Sequence, residues 1–136
     1  MNVLITDIDG TLADSAWRDG IEDFEERSRR ASEDNAVPIM VQLVNALHAQ
    51  DWHIICLTAR NERWRMLTNK WLLNNDVECG TLKMRANDDF STAPEYKEAA
   101  VREILKYPDR INTLLIDSRS DVISAYKAAG WTVLQP

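Results

Sequence analysis

The segment Val3-Leu4-Ile5-Thr6 runs directly into Asp7-Ile8-Asp9-Gly10-Thr11. A near-continuous apolar run with β-branched residues is the pattern of a strand covered on both faces, and so of a central strand in a parallel sheet. Such a strand releases its chain at the carboxyl edge of the sheet, where open α/β folds bind ligands. Alternation in an extended chain turns Asp7 and Asp9 to the same side and Ile8 into the packing. Two carboxylates so close repel unless a cation or a shared proton intervenes, so the pair implies a hard divalent ion, Mg2+ foremost. An EF-hand calcium loop is excluded: its sixth position requires Gly and here carries Leu12, and no bidentate Glu closes the loop. A surface turn built from Asp and Gly leaves the buried run in front of it unexplained.

Four more apolar runs follow: His53-Ile54-Ile55-Cys56-Leu57, Thr81-Leu82-Lys83-Met84-Arg85, Thr113-Leu114-Leu115-Ile116 and Trp131-Thr132-Val133-Leu134. They alternate with helical patterns, which predicts an α/β fold. The third and fifth runs mix in polar residues and read as edge strands. Pro38 opens a first helix with Met40, Leu43, Val44 and Leu47 on its apolar stripe. A second is expected from about Asn61 to Leu73, with Trp64, Leu67 and Trp71 in the core rather than on a ligand-stacking platform. Thr92-Ala93-Pro94-Glu95 is a capping box opening a third helix through Leu105. Ser118-Arg119-Ser120-Asp121 is set to cap a fourth, which carries Val122, Ile123 and Tyr126 and stops at Gly130. Residues 13–36 are rich in acids and arginines and fit this rhythm poorly. They read as a flap or minimal cap, with a charged helix around Ile21–Ser32. No internal repeat or long linker interrupts the chain, so residues 1–136 are expected to form one domain.

Composition narrows the functions. No apolar run approaches the roughly 18 residues of a bilayer span, and the N-terminal residues lack the pattern of a secretory signal. Two cysteines, Cys56 and Cys79, are too few for a disulfide framework and lack metal-site spacing, which favours a reducing, cytoplasmic setting. With 16 Lys+Arg against 22 Asp+Glu the net charge is −6, unlike a protein that tracks a long nucleic-acid backbone. Arg60, Arg63, Arg65 and Lys70 nevertheless cluster, either as a solvated helix face or as substrate contacts.

Other candidates fall at strand ends or helix starts. Thr58 follows the second apolar run and either offers a phosphate its hydroxyl, with helix N-terminal amides beside it, or caps a helix. Lys97 sits early in the third helix, against the helix dipole, a placement that makes sense facing an anion. Asp117 ends the fourth run as Asp7 ends the first. Asp121 either joins it on a metal or serves the cap.

Asp7-Ile8-Asp9-Gly10-Thr11, Thr58, Lys97 and Asp117, in that order, resemble the four motifs of the haloacid-dehalogenase-like (HAD) phosphatases. Leu57-Thr58-Ala59-Arg60, the helix from Arg65 to Trp71, Tyr96-Lys97-Glu98 and Ile116-Asp117-Ser118-Arg119 resemble more closely the phosphatase domain of phage polynucleotide kinase–phosphatases. The resemblance implies a doubly wound five-stranded parallel sheet, order 3-2-1-4-5, with at most a minimal cap. It also implies a Mg2+-dependent phosphomonoesterase. Asp7 would be the nucleophile, Asp9 the acid and base, and Thr58 and Lys97 the phosphoryl holders, with Arg60 a substrate contact. Asp7, Asp9 and Asp117 would bind the metal, joined by Asp121. The fourth motif departs from the kinase–phosphatase pattern, which has two successive acids where this chain has Asp117-Ser118. No GxxxxGK[ST] loop is present, so any kinase partner is separate. The expected substrate is a nucleotide or the 3′-phosphate end of a nucleic acid; a small phosphometabolite is the alternative. A phosphorylation-dependent receiver is the rival from another class. It would need an Asp ending the third strand and a Lys ending the last, where this chain has Arg85 and Gln135.

Overall fold

The computed structural model describes residues 1–136. Five parallel strands form one sheet: β1 (Asn2–Thr6), β4 (His53–Asn61), β5 (Thr81–Arg85), β6 (Asn112–Ile116) and β7 (Val133–Leu134), in the order β5-β4-β1-β6-β7. This is the expected doubly wound order, with β1 at the centre. Two short strands, β2 (Ala13–Asp14) and β3 (Asn35–Ala36), pair antiparallel as a separate ribbon. Five helices complete the chain: α1 (Phe24–Arg29), α2 (Pro38–His48), α3 (Arg65–Asn74), α4 (Ala93–Leu105) and α5 (Ser120–Ala128). No helix is long and apolar enough to cross a membrane.

The two-residue period of the strands divides the core. Leu4 of β1 and Ile54 and Cys56 of β4 face a layer with Met40 and Val44 of α2 and Trp71 and Leu72 of α3. Val3, Ile5, Ile55 and Leu57 face the other side, against Tyr96, Val101 and Ile104 of α4 and Val122 and Tyr126 of α5. Both faces of β1 are thus sealed, as its unbroken apolar run requires.

The helices match their signals unevenly. The Thr92–Glu95 capping box forms: the Thr92 amide donates to Glu95 Oε2 at 3.0 Å and the Glu95 amide to Thr92 Oγ1 at 3.4 Å. Gly130, at φ +87°, ends α5 as expected. On α2, Val41 packs against the core and Leu43 is turned outward. The second expected helix starts later. Strand β4 continues through Thr58 to Asn61, a single 3-10 turn covers Glu62–Trp64, and α3 begins at Arg65. Thr68, Trp71 and Leu72 make its buried face, leaving Leu67 and Trp64 half-exposed. Ser118 and Asp121 do not form a capping box, because the Ser118 hydroxyl donates to the Asp9 carbonyl in the loop that follows β1. Residues 13–36 hold the short α1 between two 3-10 turns, Ala16–Arg18 and Arg30–Glu33, in place of one continuous charged helix.

Candidate active site

Strand register brings the chemistry to one edge. Thr6 lies opposite Cys56 on β4 and Ile116 on β6. The next residue, Asp7, therefore leaves the sheet beside Asp117, with Thr58 one position further along β4. The Asp7 amide donates to Ile116 O at 2.9 Å and the Asp117 amide to Leu134 O at 3.2 Å, so both are held by backbone. Lys97 comes from the second turn of α4 and joins them: its Nζ donates to Asp7 Oδ1 at 2.8 Å and Asp117 Oδ2 at 2.5 Å. All three side chains are buried. Thr58 is fully buried too, and its Oγ1 accepts the Arg60 amide at 3.2 Å. It sits within a strand, so no helix N-terminus stands beside it, contrary to the sequence expectation.

The charge balance in this cluster is negative. Burial raises the Asp7 pKa to about 6; Lys97 pulls it down, but Asp117 and Asp9 push it up again. Burial disfavours the Lys97 ammonium, yet Asp7 and Asp117 more than offset this and raise its pKa.

Asp9 belongs to a second, separate network. Its carboxylate turns away from Asp7 and accepts from Arg18 Nη2 at 2.6 Å, Arg60 Nη2 at 2.7 Å and Arg60 Nε at 3.0 Å. Burial favours its neutral form, but Arg60 and then Arg18 overcome this and hold the pKa below the usual carboxylate value. Arg18 in turn forks onto Asp34, Nε to Oδ1 and Nη2 to Oδ2, both at 2.9 Å. Trp17 Nε1 adds a bond to Asp34 Oδ1 at 2.8 Å. Arg60 is fixed from behind by Thr68 Oγ1 at 3.1 Å. The segment between β2 and β3 therefore reaches the site through Arg18 and Asp34, two residues sequence reasoning did not single out. Neither has a local signature: they are 16 positions apart among many charges, and only the β2–β3 ribbon brings them together.

Ser118 is the other residue missed as a participant. Its hydroxyl donates to the Asp9 carbonyl oxygen at 3.2 Å and approaches Asp7 Oδ2 at 3.5 Å. Gly10 makes room for it. At φ +77° a side chain would be strained, and a Cβ would fall 2.7 Å from Ser118 Oγ.

The oxygens around Ser118 suit a hard cation. Asp7 and Asp117 supply carboxylates and Asp9 a main-chain carbonyl, all hard ligands of the kind Mg2+ takes. The acidic side chains alone do not close a three-ligand cage, because Asp9 gives its carboxylate to the arginines and only its carbonyl to this side. Two buried carboxylates facing one ammonium leave a charge that a cation would neutralise. Asp121 is not brought to this cluster. It is exposed, pairs with Arg119 at 2.7 and 3.0 Å and accepts the Val122 amide at 2.8 Å.

Comparison with solved structures supports the fold. One chain from "Structure of the Pnkp1/Rnl/Hen1 RNA repair complex" aligns with TM-score 0.86 at 20% identity, over 99% of this chain and 42% of that one. A chain from another Pnkp1/Rnl/Hen1 complex gives 0.80 at 19%, over 99% and 45%. This chain thus spans less than half the length of those two relatives. A hydrolase from Streptococcus pneumoniae TIGR4 aligns at TM-score 0.66 and 14% identity, over 98% of this chain and 91% of that one. No curated protein sequence matches significantly. The family model described as "Polynucleotide kinase PNKP phosphatase domain" matches residues 1–136, and the chain belongs to this HAD phosphatase family.

Proposed function

We propose that this chain is a Mg2+-dependent phosphomonoesterase that works through an aspartyl-phosphate and acts on a nucleotide or the 3′-phosphate end of a nucleic acid. The observation that carries the reading is the buried Asp7–Lys97–Asp117 cluster at the carboxyl edge of β1, with Thr58 beside it by register. Asp7 attacks phosphorus in line, and the ester oxygen leaves with a proton from Asp9. Water then hydrolyses the aspartyl-phosphate, with Asp9 accepting its proton. Thr58 and Lys97 hold the phosphoryl oxygens where negative charge spreads in the transition state. Asp7, Asp117 and the Asp9 carbonyl would hold Mg2+. When bound, it lowers the repulsion between an anionic nucleophile and an anionic ester.

Asp9 is held as a carboxylate by Arg60 and Arg18. It becomes a proton donor only if those guanidiniums let go, and a phosphoryl group competing for them supplies the means. Arg60 and Arg18 are therefore substrate contacts, and residues 13–36 act as a flap carrying one of them within a single 1–136 domain. A cytoplasmic setting and a kinase partner complete the reading. The chains from Pnkp1/Rnl/Hen1 RNA repair complexes support a nucleic-acid end as the substrate, while the net charge of −6 favours a short one.

The test is phosphate release, in Mg2+ and in EDTA, from a 3′-phosphorylated oligonucleotide, a mononucleotide panel and a sugar phosphate. Release from the nucleotide substrates in Mg2+ alone, lost in Asp7→Asn, is expected. Turnover that survives in pure Asp7→Asn protein would overturn the assignment of the nucleophile. Preference for the sugar phosphate would overturn the substrate class.

A further inference from the structure

Cys56 and Cys79 are far apart in sequence and take no part in the chemistry above, yet the sheet brings them together. Cys56 lies in β4, fully buried, on the face that packs against α2 and α3. Cys79 comes just before β5, the edge strand paired with β4, and rests on the same apolar layer. Gly80 lets the incoming chain lie close against β4. Its amide donates to Ile54 O at 3.0 Å, and a Cβ there would fall 3.0 Å from the His53 ring and 3.2 Å from Ile54 O. The two thiols adjoin closely enough that each alters the ionisation of the other.

The two sulfurs are not equivalent. Cys56 is sealed in the core, whereas Cys79 is half-buried between exposed Glu78 and Gly80, and its Sγ donates to Thr81 O at 3.2 Å near the surface. The Cys56 side chain, the backbone of Cys56 and Thr81 and the Arg65 guanidinium outweigh burial and hold the Cys79 thiol below its ordinary value. Cys79 and burial push the Cys56 thiol well above its own. The thiolate is the nucleophilic form of cysteine. An accessible thiol that favours it, with a second cysteine in reach, has the makings of a peroxide-reactive pair.

We propose that Cys79 and Cys56 form a peroxide-reactive dithiol, in which Cys79 is the attacking sulfur and Cys56 the resolving one. The Cys79 thiolate, its proton lost to solvent, attacks one oxygen of hydrogen peroxide. The O–O bond breaks, Cys79 is oxidised to a sulfenic acid, and the other oxygen takes a proton from solvent and leaves as water. The Cys56 sulfur then attacks the Cys79 sulfur, and its thiol proton goes to the departing hydroxide, which leaves as a second water. Two thiols thus give up two electrons and two protons to one peroxide, and the products are one disulfide and two waters. The bond would close residues 56–79 into one covalent loop. That loop carries Thr58 and Arg60 at the end of β4 and, on α3, the Thr68 that fixes Arg60, so oxidation would staple one wall of the candidate site. In the reducing setting proposed above, both residues stay thiols until peroxide arrives, and a reductant restores them.

The experiment exposes the full chain to hydrogen peroxide at pH 7 in EDTA. It counts free thiols by alkylation after a denaturing quench and weighs the intact protein. The parent should lose both thiols together as its mass falls by about 2 Da, and dithiothreitol should restore them. In Cys79→Ser, a change at a half-buried position outside the strands, Cys56 should react at least about tenfold more slowly than the parent pair. Cys56→Ser keeps a donor beside Cys79 but cannot resolve it, so a sulfenic acid should accumulate and be captured by dimedone. Should Cys56→Ser fail to fold, the parent and Cys79→Ser decide. Thiols that persist in the parent, a disulfide that joins two chains instead of closing within one, or a Cys56 as reactive in Cys79→Ser as in the parent would each overturn the proposal. The readout is sulfur chemistry alone, so it stands or falls separately from the phosphatase reading.

Discussion

Asp7→Asn should make the protein more stable while abolishing its turnover. Burial and the neighbouring Asp117 and Asp9 carboxylates raise the Asp7 pKa from 3.8 to about 6 despite Lys97. A carboxyl with a raised folded-state pKa binds its proton more tightly when folded. Its ionisation therefore costs nothing below the unfolded value of 3.8, an increasing amount as pH rises towards 6, and a constant amount above that. Just over two pKa units at about 1.4 kcal/mol each set that cost near 3 kcal/mol at pH 7.5. Asn has the shape of the protonated acid and cannot ionise, and its carbonyl can still accept from Lys97. The substitution should then recover about 1–3 kcal/mol at pH 7.5, seen as a rise in Tm of roughly 3–15 °C. The gain should shrink to about half by pH 5, where much of the parent Asp7 is already protonated. Thermal melts of both proteins in EDTA at the two pH values measure it directly. Adding Mg2+ should narrow the gap, because the cation stabilises the parent carboxylate and has less charge to bind in the variant. A variant no more stable than the parent at pH 7.5, or equally stabilised at both pH values, would refute the claim that Asp7 is held ionised at a cost.

Lys97→Met should lose phosphate release and also destabilise the fold by about 3–5 kcal/mol in EDTA, since Asp7 and Asp117 are left buried without a counter-charge; urea denaturation reads this, and a stability equal to the parent's would show the pair to be solvated. Gly10→Ala should cost at least about 1 kcal/mol and lower activity, because the backbone sits at φ +77° and the new Cβ meets Ser118 Oγ. Combining it with Ser118→Gly should recover only the part of the stability loss due to the clash, leaving the φ penalty in the melting curves.

The parts of this molecule that read well from sequence are those encoded by near neighbours. Val3, Leu4 and Ile5 are apolar without a break because both faces of β1 are covered, and that run placed Asp7 at the sheet's carboxyl edge. Thr92 and Glu95 cap their helix because each satisfies the other's backbone amide three positions away. Lys97 was legible because a cation early in a helix conflicts with the dipole, and the structure resolves the conflict with two carboxylates. Local pattern failed where a distant partner decides the outcome. Ser118 and Asp121 have the spacing of a capping box, but the Asp9 carbonyl takes the Ser118 hydroxyl and Arg119 takes Asp121. Arg18 and Asp34 look like any other charges in residues 13–36 until the ribbon of β2 and β3 pairs them.

Those failures share a cause that bears on the chemistry. Asp7 and Asp9 are two residues apart and identical in type, so sequence assigns them one environment. The fold gives them two. Asp7 shares a single ammonium with Asp117 and is left short of positive charge, whereas Asp9 turns to two guanidiniums and has it in excess. Carboxyls whose surroundings drive their protonation apart are suited to separate acid–base roles. Here the direction runs opposite to what the free chain would need for an acid at Asp9. Asp9 is the more firmly ionised of the pair. For Asp9 to serve as the proposed acid the arginines would have to be drawn off, and Arg18 is itself tied to Asp34. In the proposed mechanism, readiness of the acid and occupancy of the groove lined by Arg18 and Arg60 would therefore be one equilibrium: an anion that bound both arginines would release Asp9, which they otherwise hold as a carboxylate.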